Sequence, residues 1–215
     1  MRPPTPYNPP PAHSLETVFS DDTIIVADKP SGLLSVPGRG PEKAICAVSL
    51  LEERHGTALT VHRLDMDTSG LLIFARNKDA QRHLSMQFER RAVSKTCEAV
   101  VEGEIEEDSG TIDAAIAKHS NQRPLRHLDQ NGQAAITHWR VIDRAAAQTR
   151  LELTPETGRS HQLRLHLASI GHPILGDVFY GDEASADRLN LHAKTIRFKH
   201  PNSLSMLTFS TATPF

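Results

Sequence analysis

Little in this sequence points to a secreted or membrane-borne protein. Cysteine is scarce. Cys46 and Cys97 are the two in 215 residues, too few for a disulfide scaffold, so a reducing cytoplasm is the expected setting. No apolar run approaches the ~20 residues that span a bilayer, so no membrane partner is expected. The proline-rich N-terminus lacks the apolar core of a signal peptide. An excess of one charge sign is missing as well. Twenty-four Lys and Arg stand against 26 Asp and Glu, a net charge of −2, so any nucleic-acid footprint has to be local. The sequence has no P-loop, no dinucleotide fingerprint, no His-Glu-x-x-His and no Cys-x-x-Cys. It holds twelve histidines, but His161 and His166 are five apart and diverge on a helix. No metal and no cofactor are expected.

What is present reads as an ordinary globular chain, with 38% hydrophobic and 5% aromatic residues. The length suits one good core, or two small lobes sharing a sheet. Residues 1–13 read as an extended N-terminal arm. Residues 14–215 read as a single domain, with no separate N-terminal RNA-binding domain. Val18-Phe19 and Ile24–Ala27 suggest a hairpin turned at Ser20-Asp21-Asp22. Ala44–Arg54 suggests a helix with Ile45, Val48 and Leu51 on its buried face and Cys46 near it. Lys78–Arg90 suggests a second amphipathic helix, with Leu84 and Phe88 four apart. Ser94–Gly103 reads as a strand. Gly110–Arg126 reads as irregular, with Asn121-Gln122-Arg123-Pro124 as a donor-rich loop. Ala134–Ile142, anchored by Trp139, and Arg150–Pro155 read as paired strands.

The most informative stretch is Val61-His62-Arg63-Leu64-Asp65-Met66-Asp67-Thr68-Ser69-Gly70, followed by the apolar run Leu71–Ala75. Thr and Ser compete for backbone hydrogen bonds and Gly permits a turn, so His62–Gly70 reads as a loop feeding a buried strand. Charged side chains on a loop held by a core strand are well placed for chemistry. The plainer alternative is a capped turn in which Asp65 or Asp67 only bonds backbone amides. A second loop, Asp28-Lys29-Pro30-Ser31-Gly32 through Ser35-Val36-Pro37-Gly38-Arg39, is stiffened by its prolines and glycines. Lys29 and Arg39 can touch phosphates there, whereas Pro30 and Gly32 read as scaffold. A third block runs from Thr157 to Ala168. Leu163, Leu167 and Ile170 share one helical face, Ser160 can cap the start and Gly171 stops the helix. Arg164 lies at the edge of that face, half buried, and needs a carboxylate partner. A structural ion pair would satisfy it. Further basic clusters are Arg90-Arg91 with Lys95, Lys118-His119 with Arg123 and Arg126-His127, Arg159 with Arg164, and Lys194 with Arg197 and Lys199. Each can equally be a solvated face.

His-Arg-Leu-Asp-x-x-Thr-Ser-Gly at 62–70 resembles the catalytic loop of the RluA-type pseudouridine synthases. The other family motifs follow in order over residues 15–213. They are Lys-Pro-x-Gly at 29, Gly-Arg-x-His-Gln-Leu-Arg-x-His at 158, Gly-His-Pro-Ile-Leu-Gly-Asp at 171 with Tyr180 after it, and Leu-x-Leu-His-Ala at 189. The Ser-Val-Pro-Gly-Arg extension points to the founding RluA branch. The resemblance implies an α+β pseudouridine synthase catalytic fold, with a central mixed, mainly antiparallel sheet flanked by helices and a cleft across it. It implies isomerisation of uridine to pseudouridine in structured RNA, in a large-subunit rRNA hairpin, a tRNA anticodon stem-loop, or both. Asp65 would be the nucleophile and Arg164 its partner. Arg63 would fill the gap left by the flipped nucleotide. His62, Cys97, Leu163 and Tyr180 would line the substrate site, with His62 supporting the loop. No obligate protein partner is implied and a monomer is expected.

One departure from the pattern matters. The family strand Lys-x-Tyr-x-Ala-x-Val-x-Gly has Cys97 where the Tyr lies against the target uracil. A thiol exchanges a proton only if its pKa is lowered. Three readings stay open: tolerance, compensation by another ring such as Tyr180, or weak or absent activity. Two other classes also stand beside the synthase. A glycoside or nucleoside hydrolase would use Asp65 and Asp67 on a sugar carbon. A non-catalytic RNA-binding or RNA-folding homologue is motivated by Cys97.

Overall fold

The computed structural model describes residues 6–119 and 124–215; of the expected donor loop, Asn121, Gln122 and Arg123 lie outside them. The chain groups into two units. One comprises the residues up to Val93 with Arg197–Thr211, the other Ser94–Ile196 with Ala212–Phe215. Both are built on antiparallel strands, and helices accompany them, which is the α+β class the sequence implied.

In the first unit β1 (Glu16–Ser20) and β2 (Ile24–Lys29) form the expected hairpin. Asp21 shapes its turn, Oδ1 accepting from the amides of Thr23 at 2.7 Å and Ile24 at 2.8 Å. β3 (Leu59–Thr60) and β2 both pair with β4 (Ser69–Ala75). Every residue of β4 is buried, which is why its sequence is a continuous apolar run rather than an alternation. Helix α1 (Ala47–His55) starts later than its periodicity suggests. Cys46 is extended and caps it, its sulfur accepting from the Ser49 amide while the Ser49 hydroxyl accepts from the Cys46 amide. Ile45 therefore falls outside the helix and is exposed, and Ala47, Leu50 and Leu51 form the buried face. Helix α2 (Lys78–Glu89) is capped by Asn77 Oδ1 on the Ala80 amide at 2.9 Å. The core joins Leu15, Ile25, Leu33, Leu51, Leu72 and Phe74, each large side chain contributing about 1.5–3 kcal/mol of burial. From the N-terminal arm, the Tyr7 hydroxyl bonds the Ile45 carbonyl at 2.9 Å and the Leu34 amide at 3.1 Å.

The second unit orders β5 (Ser94–Glu102), β10 (Gln148–Pro155), β9 (Ile136–Ala145) and β6 (Ser109–Asp113) side by side, all antiparallel. β7 (Ile116–Lys118) and β8 (Arg126–Leu128) make a separate hairpin. The region expected to be irregular thus contains β6, β7 and the start of β8. Trp139 accounts for β6. Gly110 pairs opposite it, and a Cβ built there would come within 2.5 Å of the indole. Glycine makes room for the ring, and strand registers then place Trp139, Leu153 and Cys97 in one buried row. Helix α3 (Gln162–Ser169) follows. β11 (Leu191–Lys199) carries the chain back to the first unit, where β12 (Met206–Ser210) ends the strands.

One glycine is placed to test this geometry. Gly176 has φ +72°, and a Cβ there would meet the Arg188 carbonyl oxygen at 2.1 Å. Gly176→Ala is expected to destabilise the protein by about 3 kcal/mol or more, a thermal midpoint lower by ~6–12 °C in a circular-dichroism melt. An unchanged midpoint would contradict the close approach.

Candidate active site

The loop carrying Asp65 is fixed by its backbone. Lys29, at the end of β2, pairs with Gly70 near the start of β4. The loops extending these strands, 30–35 and 62–68, therefore leave the same end of the pair. The Lys29 ammonium is fully buried and donates to the carbonyls of Pro30 at 2.9 Å, Leu33 at 2.7 Å and Met66 at 2.8 Å. Gly32, at φ +81°, donates its amide to the same Met66 carbonyl at 3.0 Å. The Ser31 hydroxyl donates to the Asp67 carbonyl at 2.6 Å, and the Ser35 hydroxyl bonds both the carbonyl and the amide of Leu64. The main chain on both sides of Asp65 is thus held, and Asp65 itself is half-buried. The expectation that Lys29 touches phosphates is overturned: three carbonyls take up its donors, and that compensation is what allows an ammonium to be buried. Arg39 is exposed.

His62, Arg63 and Asp65 share this loop, and their exposures divide their tasks. His62 Nε2 accepts from the Ile73 amide at 3.0 Å and its ring stacks on Phe88 with centroids 4.5 Å apart. It ties the loop to β4 and α2. Arg63 is exposed.

In the second unit Arg164 is the centre of a buried cluster. The sequence suggested a half-buried guanidinium; it is 1% exposed. Asp177 makes that burial tolerable. Arg164 Nε donates to Oδ2 at 2.8 Å and Nη2 to Oδ1 at 2.5 Å, a side-on fork. Asp177 Oδ1 also accepts from the amides of Phe179 and Tyr180. Burial alone would raise the Asp177 carboxyl. The Arg164 hydrogen bonds and charge, together with the two amides, outweigh it and hold the pKa below the ordinary value. The Phe179 ring lies 4.9 Å and the Tyr180 ring 5.8 Å from the guanidinium carbon. The Tyr180 hydroxyl accepts from the Arg126 amide and contacts His161 Nδ1, both at 2.9 Å.

Helix α3 departs from the expected apolar face. His161 precedes it in a left-handed conformation, φ 57°, with no side-chain cap, so Ser160 is not the cap. Ile170 is exposed, and Leu163 is partly buried against the core. Gln162 and His166 face inward instead. Gln162 Oε1 accepts from the Thr157 hydroxyl and the Arg159 amide, and its Nε2 donates to Ile136 O and Thr137 Oγ1. His166 bridges Thr137 Oγ1 and the Ala114 carbonyl, and burial lowers its pKa. Burial and Arg188 push His192 down to about 4. Both imidazoles are neutral at pH 7. Among the described residues no three His, Cys, Asp or Glu side chains converge as metal ligands.

Cys97 sits in the core row, and burial pushes its thiol up to about 11, Lys95 opposing this only in part. A lowered pKa, the condition under which it could exchange a proton, is not met. The clusters around Arg164 and Lys194 are likewise not free phosphate sites, since Asp177 and Glu98 engage these two cations.

The sequence that builds these sites matches a known family over most of its length. The RNA pseudouridylate synthase family profile matches residues 23–169. The chain belongs to this family. It is an RNA pseudouridine synthase, an isomerase, as its motifs implied. A Pasteurella multocida protein named dual-specificity RNA pseudouridine synthase RluA is 44% identical over 214 residues, covering 97% of this chain and 98% of its own. The Escherichia coli O6:H1 protein of the same name is 41% identical over the same shares. Human RNA Pseudouridylate Synthase Domain Containing 1 superposes with a TM-score of 0.80 at 28% identity, over 100% of this chain and 87% of its own. No helix among the described residues is long and apolar enough to cross a membrane.

Sequence reasoning missed the tasks of Lys29, Asp177 and Phe179 in this synthase. The Asp177 partnership had a signal: a buried Arg demands a carboxylate, and Asp177 lies in a quoted motif. Asp177→Asn is expected to cost ~3–5 kcal/mol, because it leaves the Arg164 charge buried with a neutral partner. The pair's contribution is whole above about pH 4, the range of an unfolded Asp carboxyl, and is lost as pH falls through the depressed folded value. Urea unfolding of both proteins at pH 7 and pH 3 checks this. A gap between them that does not shrink at pH 3 would contradict the assignment.

Proposed function

We propose that this chain converts uridine to pseudouridine in two RNAs, a large-subunit rRNA hairpin and a tRNA anticodon stem-loop, with Asp65 as nucleophile. The observation that carries the role of Asp65 is the clamped loop, which fixes the backbone at Leu64, Met66 and Asp67 around a half-buried Asp65. The choice of targets is supported by relatives named dual-specificity synthases.

The reaction breaks the N1–C1′ bond of uridine and turns the uracil. It then forms C5–C1′, with C5 losing a proton and N1 gaining one, so nothing is consumed. Asp65 attacks C1′ or helps expel uracil through a glycal; both routes use the same carboxylate. Arg164 serves as the catalytic partner of Asp65, a role supported by family membership and by the rigid orientation Asp177 gives the guanidinium. Arg63, exposed beside Asp65, fills the space of the flipped nucleotide, a task that suits a stacking guanidinium. Leu163 and Tyr180 border the base. No cofactor enters, and one domain acts as a cytoplasmic monomer. Family membership removes the hydrolase reading of Asp65 and Asp67. A second reading, an RNA-binding homologue with impaired turnover, is favoured by Cys97, whose neutral thiol is no base at pH 7.

Tritium release from C5-labelled uridine in unmodified tRNA and rRNA transcripts separates them. The natural protein is expected to release tritium from both, and Asp65→Asn from neither while still binding RNA. No release by the natural protein, with binding intact, would overturn the enzyme reading. Release restored by Cys97→Tyr would then place the defect at that position.

A further inference from the structure

Arg164, Glu98 and Lys29, three buried ions of this chain, come with partners. Arg164 has Asp177. Glu98, 5% exposed, accepts from Arg150 at 2.5 Å and Lys194 at 2.6 Å. The Lys29 ammonium has three carbonyls. Lys95 breaks the pattern.

Lys95 stands on β5 two residues before Cys97, on the same face of the strand. Its side chain lies against Gly158: a Cβ built on that glycine would come 3.3 Å from Nζ. Burial lowers its pKa, and the one group opposing this is the Cys97 thiol, which is neutral at pH 7. Among the described residues no carboxylate, carbonyl or hydroxyl accepts from this ammonium. The wall it faces is stiff, because the Thr157 hydroxyl and the Arg159 amide, on either side of Gly158, are both fixed on Gln162 Oε1. A partly desolvated ammonium without an acceptor is unfavourable by itself. It is explained if a ligand supplies the acceptor, and an oxygen is what an ammonium takes.

We propose that Lys95 is a substrate-contacting residue whose ammonium takes an oxygen of the RNA, from a backbone phosphate or a uracil carbonyl, with Gly158 keeping its approach open. This rests on the reading of RNA as the substrate. It gives the strand that lacks the family Tyr a polar contact to the RNA one turn of the pleat away from Cys97.

The test uses Lys95→Met, Lys95→Arg and Gly158→Ala in the full chain, with the tRNA and rRNA transcripts as probes. Thermal midpoint without RNA, RNA affinity as a function of salt, and single-turnover pseudouridine formation are measured. Lys95→Met is expected to melt no lower than the natural protein, since it removes an uncompensated charge, yet to lose about tenfold or more in RNA affinity or in the single-turnover rate. Lys95→Arg is expected to recover part of that loss. Gly158→Ala, by crowding Nζ, is expected to show the same loss in weaker form. A phosphate contact lowers the slope of log affinity against log salt by roughly 0.7–0.9 in Lys95→Met. A uracil contact leaves the slope unchanged and appears in the single-turnover rate. If Lys95→Met binds and turns over like the natural protein, or only lowers the midpoint, Lys95 is structural and the proposal is overturned. If the natural protein neither binds nor modifies either RNA, the RNA reading itself falls, and Lys95 with it.

Discussion

A single buried ammonium determines the form of the candidate active site. Lys29 ends one strand of an antiparallel pair and gathers three carbonyls from the two loops beyond it. Two serine hydroxyls and a glycine amide complete the attachment. Loops so held lose the conformational freedom that ordinarily makes a loop a poor place for precise chemistry. Asp65 sits on the main chain between two of the anchored carbonyls, so its position is set by hydrogen bonds made by its neighbours. A reaction at a sugar carbon depends on such placement, because a displacement of about 1 Å can cost a hundredfold in rate.

The second unit solves a related problem by the same means. Its helix α3 buries Gln162, Arg164 and His166, where an amphipathic helix would bury apolar side chains. Each has its partners: Thr157, Thr137 and Ala114 for the amide and imidazole, Asp177 for the guanidinium. A satisfied polar network specifies one arrangement of its members far more narrowly than an apolar surface can. The aromatic side chains Phe179 and Tyr180 then cover the Arg164 guanidinium. The contacts that orient Arg164 are also the ones that compensate its burial.

Much of this was legible in the residues. The β1–β2 hairpin, the apolar strand after the Asp65 loop and the helix from Lys78 carry strong local signals, and the structure has all of them. The motif residues His62, Arg63 and Asp65 are neighbours in sequence and so share a loop without further argument. What stayed hidden depends on direction and depth. A lysine beside Pro-x-Gly reads as a surface charge until the fold brings three carbonyls to it. The extended Cys46 cap moved the start of α1, and its weak propensity signal could not show that. The strands between Ser109 and Leu128 are short, and β6 forms against a long-range partner, β9, around Trp139, so local pattern missed them. Arg164 looked like the edge of an apolar stripe because its carboxylate lies in a separate motif.

The most direct test of the clamp is the single-turnover rate of pseudouridine formation by Lys29→Met, measured where it remains folded, alongside its RNA affinity. If the buried ammonium places Asp65, the rate falls about a hundredfold while affinity stays within about threefold, since Lys29 is fully buried and does not meet the RNA. A folded Lys29→Met protein that turns over at the natural rate would contradict the account.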